Sequence, residues 1–435
     1  MCGIAGKFNF DPARPIDAER LTAMTSVVAH RGPDADGFFI GAGIGLGHRR
    51  LSVIDLSTGD QPLTNEDRTI WVVFNGEIYN FAEIRRELEL FGHRFRTNSD
   101  TEVIVHGYEQ WGDRVVDRFR GMFAFALWDE RKRRLLLVRD RLGVKPLYYS
   151  QTGAGVTFGS ELKSLLEDPD VPRDWSAEAL DAYLTLQYVP CPQTIYQSVW
   201  KLPPGHQLVA EHGRVTVTQY WDLTFTGDGN GAREDEYLDR LDALVNESVR
   251  LRLVSDVPLG AFLSGGIDSS AVVASMAAAC TGRVVTTTVG FDEQGFSELE
   301  YARTVARHLG VEQHETIVRP DIVDLLPKLA WHFDEPFADS SAVPTYYVSQ
   351  AARERVTVAL SGDGGDELWA GYARHRVEQQ ELIARRWLGR IGGSIAGRLA
   401  GYVPLGVKGA RSLRHLALPP AEACARKHAY GLFES

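Results

Sequence analysis

The sequence predicts two unlike architectures in one chain: an α+β sandwich, then an α/β domain built on a doubly wound parallel sheet. Three observations predict this. In the first half, strand-like runs outnumber helical ones and fold back on each other, as in Phe119–Trp128 and Arg134–Arg139 around the charged turn Asp129–Arg133. From Glu234 onward, helical faces alternate with short apolar runs, the pattern of strands joined by crossover helices. Between them, Thr226-Gly227-Asp228-Gly229-Asn230-Gly231 is polar and glycine-rich and reads as a linker. The expected division is 2–222, a linker at 223–235, and a second domain at 236–435.

The bulk composition narrows the function classes. A chain of 435 residues with 44% hydrophobic and 24% charged residues can bury two or three cores. A net charge of −11 and a pI near 5.6 argue against nucleic acid as a partner. The cysteines Cys2, Cys191, Cys280 and Cys424 show no metal-ligand or redox spacing. Neither a signal peptide nor an apolar run of transmembrane length is present, so a cytoplasmic protein without membrane insertion is expected. Asn246-Glu247-Ser248 matches a glycosylation sequon, which in such a protein is chance.

The first half opens with Met1-Cys2-Gly3-Ile4-Ala5-Gly6. Loss of Met1 would leave Cys2 with a free α-amine beside its thiol, a nucleophile next to its own base. Position alone equally allows a buried cysteine in a first strand. Arg50 follows a strand-like run and can hold a carboxylate in a bidentate fork, or make a surface salt bridge. Trp71–Phe74 reads as a strand; Asn75-Gly76 after it is either a turn or a pair of donors for an oxyanion. Phe81, Ile84, Leu88 and Phe91 fall at helical spacing before Gly92, and Ile104, Tyr108 and Trp111 do so after Ser99-Asp100-Thr101-Glu102. Asp100 is a helix cap or a partner for a ligand ammonium group.

Together, Met1–Gly6, Arg31-Gly32-Pro33-Asp34, Arg50-Leu51-Ser52-Val53, Asn75–Asn80, Ser99–Glu102 and Asp140–Leu147 resemble class II glutamine amidotransferases. That resemblance implies an N-terminal-nucleophile hydrolase with an αββα fold. It implies Cys2 as nucleophile and Asn75 with Gly76 as oxyanion hole. Arg50 would hold the glutamine α-carboxylate and Asp100 its α-ammonium. Leu51, Ser52, Val53, Ile54 and Glu77 would line the same pocket.

The second half is organised around Leu263-Ser264-Gly265-Gly266-Ile267-Asp268-Ser269-Ser270. A strand, Val257–Phe262, breaks at two glycines and continues as a helix. Its backbone amides, hydroxyls and helix N-terminus can cradle an anion. The plain alternative is a strand–turn–helix capped by Asp268 or Ser269. Strands are expected at Val284–Phe291, Gln313–Val318 and Val356–Leu360, and helices at Ser297–Leu309, with Gly310 as C-cap, and Asp321–Phe333. The last strand runs into Ser361-Gly362-Asp363-Gly364-Gly365-Asp366-Glu367, with a helix starting near Leu368. Its carboxylates can hold Mg²⁺ on phosphates or form an acidic turn.

These two loops, with Asp334-Glu335-Pro336, are similar to the synthetase domain of glutamine-hydrolysing asparagine synthetase of the B type, an ATP-pyrophosphatase. The resemblance implies ATP and Mg²⁺, with glutamine and aspartate as small-molecule partners, and admits a homodimer. Leu263, Ser264, Gly265, Gly266, Asp268, Ser269, Ser270, Val289, Gly290, Ser361 and Gly362 would meet ATP. Asp268 and Asp366 would bind the metal, and Asp363, where relatives often carry glutamate, would act as base for the incoming ammonia. Aspartate would be converted to asparagine through β-aspartyl-AMP, using ammonia released from a γ-glutamyl thioester. Phe262, Asp339-Ser340-Ser341 and Val189-Pro190-Cys191-Pro192 resemble amidotransferases of the exosortase-associated subgroup, which leaves room for another carboxylate acceptor, an exopolysaccharide or β-lactam-like precursor. No segment after Asp366 resembles the family's lysine-containing phosphate contact. The second domain is therefore expected to be C-terminally incomplete, and a chain retaining only glutamine binding or hydrolysis stays an alternative.

Overall fold

The computed structural model describes residues 1–225, 233–291, 298–400, 402–404, 407 and 410–428. The expected linker core Thr226–Gly231, the first residue of the Ser297 helix and the tail beyond His428 lie outside the described residues.

Twelve strands build the first domain: β1 Gly3–Asn9, β2 Ala35–Gly41, β3 Ile44–Arg50, β4 Leu63–Thr64, β5 Ile70–Ile78, β6 Gly121–Asp129, β7 Arg134–Arg139, β8 Tyr148–Thr152, β9 Gly155–Gly159, β10 Val199–Lys201, β11 His206–Glu211 and β12 Arg214–Gln219. They form two six-stranded sheets, β10-β8-β9-β1-β3-β2 and β12-β11-β7-β6-β5-β4. Period-two alternation decides which face each residue serves. On β6, Ala124, Ala126 and Trp128 meet Ile4, Ile44 and Leu46 of the other sheet. The alternate residues Phe123, Phe125 and Leu127 pack outward, against Ile84, Leu88, Ile104 and Tyr108 of the helices Phe81–Leu90 and Glu102–Trp111. On the opposite side, helix Ala18–Ser26 lies on β3 so closely that a Cβ on Gly47 would stand 2.1 Å from Thr25 Oγ1. The result is a four-layer αββα sandwich.

The second domain carries β13 Leu259–Phe262, β14 Val285–Phe291, β15 Glu312–Val318 and β16 Val358–Leu360. Their order is β15-β14-β13-β16, all parallel. The chain winds outward from β13 through β15, then returns to the other side of β13 with β16. The loops after β13 and β16 therefore meet at the switch point, where a doubly wound sheet opens a crevice. The expected strands begin two residues late at Leu259 and Val358. The helix expected near Leu368 starts earlier, as the short Gly365–Trp369, before the longer helical segment Ala373–Ala400. Gly310, in left-handed conformation at φ 66°, closes helix Leu299–Leu309 as expected.

Acidic residues of the second domain lock it to the first. Asp334 pairs with Lys163 at 2.9 Å, Lys163 also pairs with Glu161, and Glu335 pairs with Lys201. Asp256 accepts the amide of Asp55 at 2.8 Å and donates its own to the Val53 carbonyl at 2.9 Å. At the rim, Arg120 pairs with Glu247, and the Arg252 guanidinium lies 4.4 Å from the centre of the Tyr79 ring.

Candidate active sites

The first site is assembled by β-pairing. Gly3 pairs with Arg49 across β1 and β3, which brings Cys2 to the level of Arg50 and Leu51. Leu51 donates its amide to Cys2 Sγ at 3.4 Å, and the thiol faces the Leu51 carbonyl at 3.7 Å. Arg31 Nε donates to the Cys2 carbonyl at 2.9 Å. Burial pushes the Cys2 thiol up, against the Leu51 amide. In the chain with Met1, the terminal amine is one residue away from Cys2, and burial pulls it down to about 5.

A cavity of about 320 Å³ opens around this thiol. Asn75, Gly76 and Glu77 line it from β5, Arg50, Leu51, Val53 and Ile54 from the segment after β3, and Asp100 from the turn before helix Glu102–Trp111. Ser52 lies outside this lining and donates its amide to Asp34 at 2.8 Å. Asn75 is fully buried, and neither its Nδ2 nor its Oδ1 has a protein partner. A buried amide costs free energy unless something hydrogen-bonds it, so this one is poised for a ligand. Gly76 must be glycine: a Cβ there would lie 2.2 Å from the Met122 carbonyl. Arg50 is buried and fixed by Asp60 at 2.7 Å and by the carbonyls of Ile54 and Asp55. Asp100 accepts the Ile78 amide at 2.9 Å; burial, with Glu77 adding, raises its carboxyl to about 7. Burial likewise raises Glu77, against Lys145.

Sequence reasoning missed two parts of this wall. Lys145, only 2% exposed and lowered to about 8 by burial, lines the cavity beside Glu77. Its signal was available: a lysine inside the Asp140–Leu147 motif. The other part, Thr357, Val358 and Ala359, comes from the start of β16 in the second domain and the residue before it. No local pattern could have announced it.

The second site lies at the switch point. Gly265 takes φ 85°, and a Cβ there would stand 2.5 Å from the Ala302 amide. Gly266, not Asp268 or Ser269, caps helix Ile267–Ala279, with no side chain bonded to the cap. The plain capping alternative is thus corrected: Ser269 Oγ turns back to Ser264 Oγ at 3.0 Å, because the loop folds on itself. The loop after β16 presses on this turn. A Cβ on Gly365 would be 2.4 Å from Asp268 Cγ, and one on Gly362 would be 2.7 Å from the Ser269 amide. Ser270 Oγ is buried without a protein partner. Ser361 Oγ donates to Asp363 at 3.0 Å. Leu263 is buried, its amide on the Thr287 carbonyl at 3.1 Å. Val289 and Gly290 sit on β14 beside β13, Gly290 covered by Leu299 at 2.5 Å from where a Cβ would be. Asp366, in the first turn of Gly365–Trp369, packs on Gly371. Asp334 and Glu335, singled out with these loops, instead meet Lys163 and Lys201 of the first domain.

Comparison with known proteins agrees with both halves. A family profile described as a glutamine amidotransferase domain matches residues 1–221, and one described as asparagine synthase matches 240–427. The chain is 43% identical over 381 residues to a Bacillus subtilis protein named asparagine synthetase (glutamine-hydrolyzing) 1, covering 86% of this chain and 60% of that protein. A second B. subtilis protein, asparagine synthetase (glutamine-hydrolyzing) 3, is 32% identical over 391 residues, covering 86% and 63%. A Methanocaldococcus jannaschii protein, named "Putative asparagine synthetase (glutamine-hydrolyzing) 2", is 36% identical over 398 residues, covering 86% of this chain and 76% of that protein. The chain thus spans about 60% of the length of the B. subtilis relatives. With an αββα glutamine amidotransferase domain followed by a doubly wound asparagine synthase domain, the chain belongs to the glutamine-hydrolysing asparagine synthetase family.

Proposed function

We propose that this chain transfers the amide nitrogen of glutamine to aspartate at the expense of ATP, with the nitrogen released at Cys2 and consumed at the switch point of the second sheet. The observation that carries this reading is β16. Its residues Val358 and Ala359, with Thr357 just before it, line the Cys2 cavity, and its C-terminal end leads directly into the Ser361–Glu367 loop. One strand therefore touches both sites.

In the first site, Met1 is removed and the α-amine of Cys2 takes the thiol proton. The thiolate attacks the glutamine side-chain amide, whose oxygen receives the Asn75 Nδ2 and Gly76 amides. Arg50 holds the α-carboxylate and Asp100 the α-ammonium, while Leu51, Val53, Ile54 and Glu77, without Ser52, frame the substrate. Ammonia leaves, and water hydrolyses the γ-glutamyl thioester. In the second site, the aspartate β-carboxylate attacks the α-phosphorus of ATP, pyrophosphate leaves, and ammonia displaces AMP from β-aspartyl-AMP. The amides and hydroxyls of Leu263–Ser270, with Ser361 and Gly362, receive the phosphates; Ser270 Oγ supplies an unused buried donor. Val289 and Gly290 are the proposed adenine-side contacts. Asp268 and Asp366 offer an all-oxygen donor set of the kind Mg²⁺ takes, one from each of two loops in contact. When bound, that ion neutralises phosphate charge. Asp363 takes the proton from the attacking ammonia.

The test is product analysis with glutamine, aspartate and ATP. Asparagine, AMP and pyrophosphate formed in equal amounts support the reading. Glutamate release without aspartate-dependent pyrophosphate would overturn it.

A further inference from the structure

On the first domain, Glu66 in the turn between β4 and β5, His93 after helix Phe81–Leu90, and His106 on helix Glu102–Trp111 bring one ligand atom each to within 4.8 Å of one another. We propose that Glu66, His93 and His106 form a binding site for a divalent transition metal of the zinc class, with Glu109 as the fourth donor. Nothing in the glutamine or ATP chemistry uses these residues.

The spacing is that of a coordination shell. His106 Nδ1 lies 3.6 Å from Glu66 Oε2 and 3.3 Å from Glu109 Oε2, and His93 Nδ1 lies 3.7 Å from Glu109 Oε2. Ligand atoms bound tetrahedrally at zinc–nitrogen distances stand about 3.3 Å apart. The donor set, two imidazoles and two carboxylates, is one that zinc accepts.

The outer partners are also in place. A metal-bound histidine directs its other ring nitrogen to an acceptor, which fixes ring and tautomer. His106 Nε2 faces Glu102 Oε1 at 3.4 Å, and His93 Nε2 faces Gln110 Oε1 at 3.3 Å. Glu102 is itself held by the amides of Arg96 and Thr97 at 2.8 to 3.1 Å. Asn65 Nδ2 donates to Glu109 Oε1 at 2.8 Å, leaving Oε2 for the metal. The site is graded from the 1%-exposed side chain of His106 to the 39%-exposed one of Glu66, so an ion can enter from solvent while the inner ligand stays fixed.

The consequence is positional. The segment that starts at His93 ends in Asp100 of the glutamine pocket, and Asn98 on the way donates its amide to Asp55 at 2.7 Å. A bound metal would pin both ends of this segment, at His93 and at helix Glu102–Trp111.

The test uses the full chain carrying Cys2→Ala, which removes the pocket thiol as a competing ligand. Cobalt(II) is titrated after dialysis against chelator. The expected result is one cobalt per chain with the strong visible bands of four-coordinate geometry, lost in His93→Gln and weakened about 10- to 100-fold in Glu102→Gln. His93 is half-buried, and a matching thermal midpoint shows that its variant folds. Cobalt binding that is absent, or that is equal in the parent and His93→Gln, would overturn the proposal.

Discussion

The Cys2 cavity and the Leu263–Ser270 loop are built on opposite plans. Around Cys2, the polar groups are buried and already oriented: Asn75 has no exposure, and Arg50 and Asp100 are each 5% exposed. They are walled by the first domain's sheets and by Thr357–Ala359 of the second domain. Around Ser264, the loop is fixed by glycine packing and by its own hydroxyls, and Gly266, Ile267 and Asp363 face solvent. The first plan stores desolvation cost in titratable groups, which raises Asp100 to about 7 and lowers Lys145 to about 8. The second leaves Asp363 and Glu367 exposed and Asp268 and Asp366 half-buried, an environment that on the proposed function suits a charged polyphosphate bringing its own counter-ion. On the proposed function, a small neutral amide and a large anion ask for different electrostatics, and the two sites differ in that sense.

The sharpest break in the comparison is Cys2→Ala. Glutamine-dependent turnover is expected to fall by about 10⁴-fold or more, while ammonia-dependent asparagine formation persists. Loss of both, with unchanged stability, would show that the sites are not separable. The reciprocal variant is Gly365→Ala, whose new Cβ would meet the Asp268 carboxylate at 2.4 to 2.8 Å. ATP–pyrophosphate exchange should drop by about two orders of magnitude with glutaminase activity retained, since the clash displaces a backbone or a ligand carboxylate.

Asn75→Ala tests the preorganised plan. Removing one oxyanion donor is expected to lower glutaminase kcat by about 10²-fold with little change in KM. Lys163→Met tests what joins the two plans. It leaves Glu161 and Asp334, side chains about 10% and 9% exposed, without their shared cation. Stability should fall by roughly 3 kcal/mol, the usual scale for breaking a buried ion pair. Glutaminase should survive better than glutamine-dependent synthesis, measured as the ratio of asparagine formed to glutamate released.

The smallest effect is a pH dependence. On the proposed function Asp100 must be ionised to hold the α-ammonium, so kcat/KM for glutamine should fall about tenfold per pH unit below about 7. Stability runs the other way. Because the folded carboxyl is raised above its ordinary value of 3.8, its contribution is full below that value and lost as pH rises through about 7. Asp100→Asn should therefore unfold at higher temperature than the parent at pH 8 while binding glutamine poorly. An unchanged or lower midpoint would show that the buried carboxylate is already compensated.

Much of this was legible in the chain as written. Hairpin β6–β7 and the helices Phe81–Leu90 and Glu102–Trp111 follow from alternation and helical spacing, because each depends on neighbours a few residues away. The strand starts at Leu259 and Val358 were placed two residues early because Val257, Pro258, Val356 and Thr357 suit a strand locally but lie beyond the pairing. The alternative of a cap at Asp268 or Ser269 rests on their capping chemistry, and only the folded loop shows that their oxygens go elsewhere and Gly266 takes the cap. The cluster of Glu66, His93 and His106 carries no spacing motif, since three separate elements deliver its members.

By itself the sequence determined the two fold classes, the nucleophile candidate, the anion-cradling loop and the family's motifs, all carried by short-range pattern and by residue chemistry. Only the tertiary structure decided that Asp334 and Glu335 join the domains, that Lys145 stands in the Cys2 cavity, and that β16 walls that cavity while feeding the opposite loop. Those depend on contacts between residues that lie far apart in the chain, and a local pattern holds no information on which distant partner will bury a given side chain.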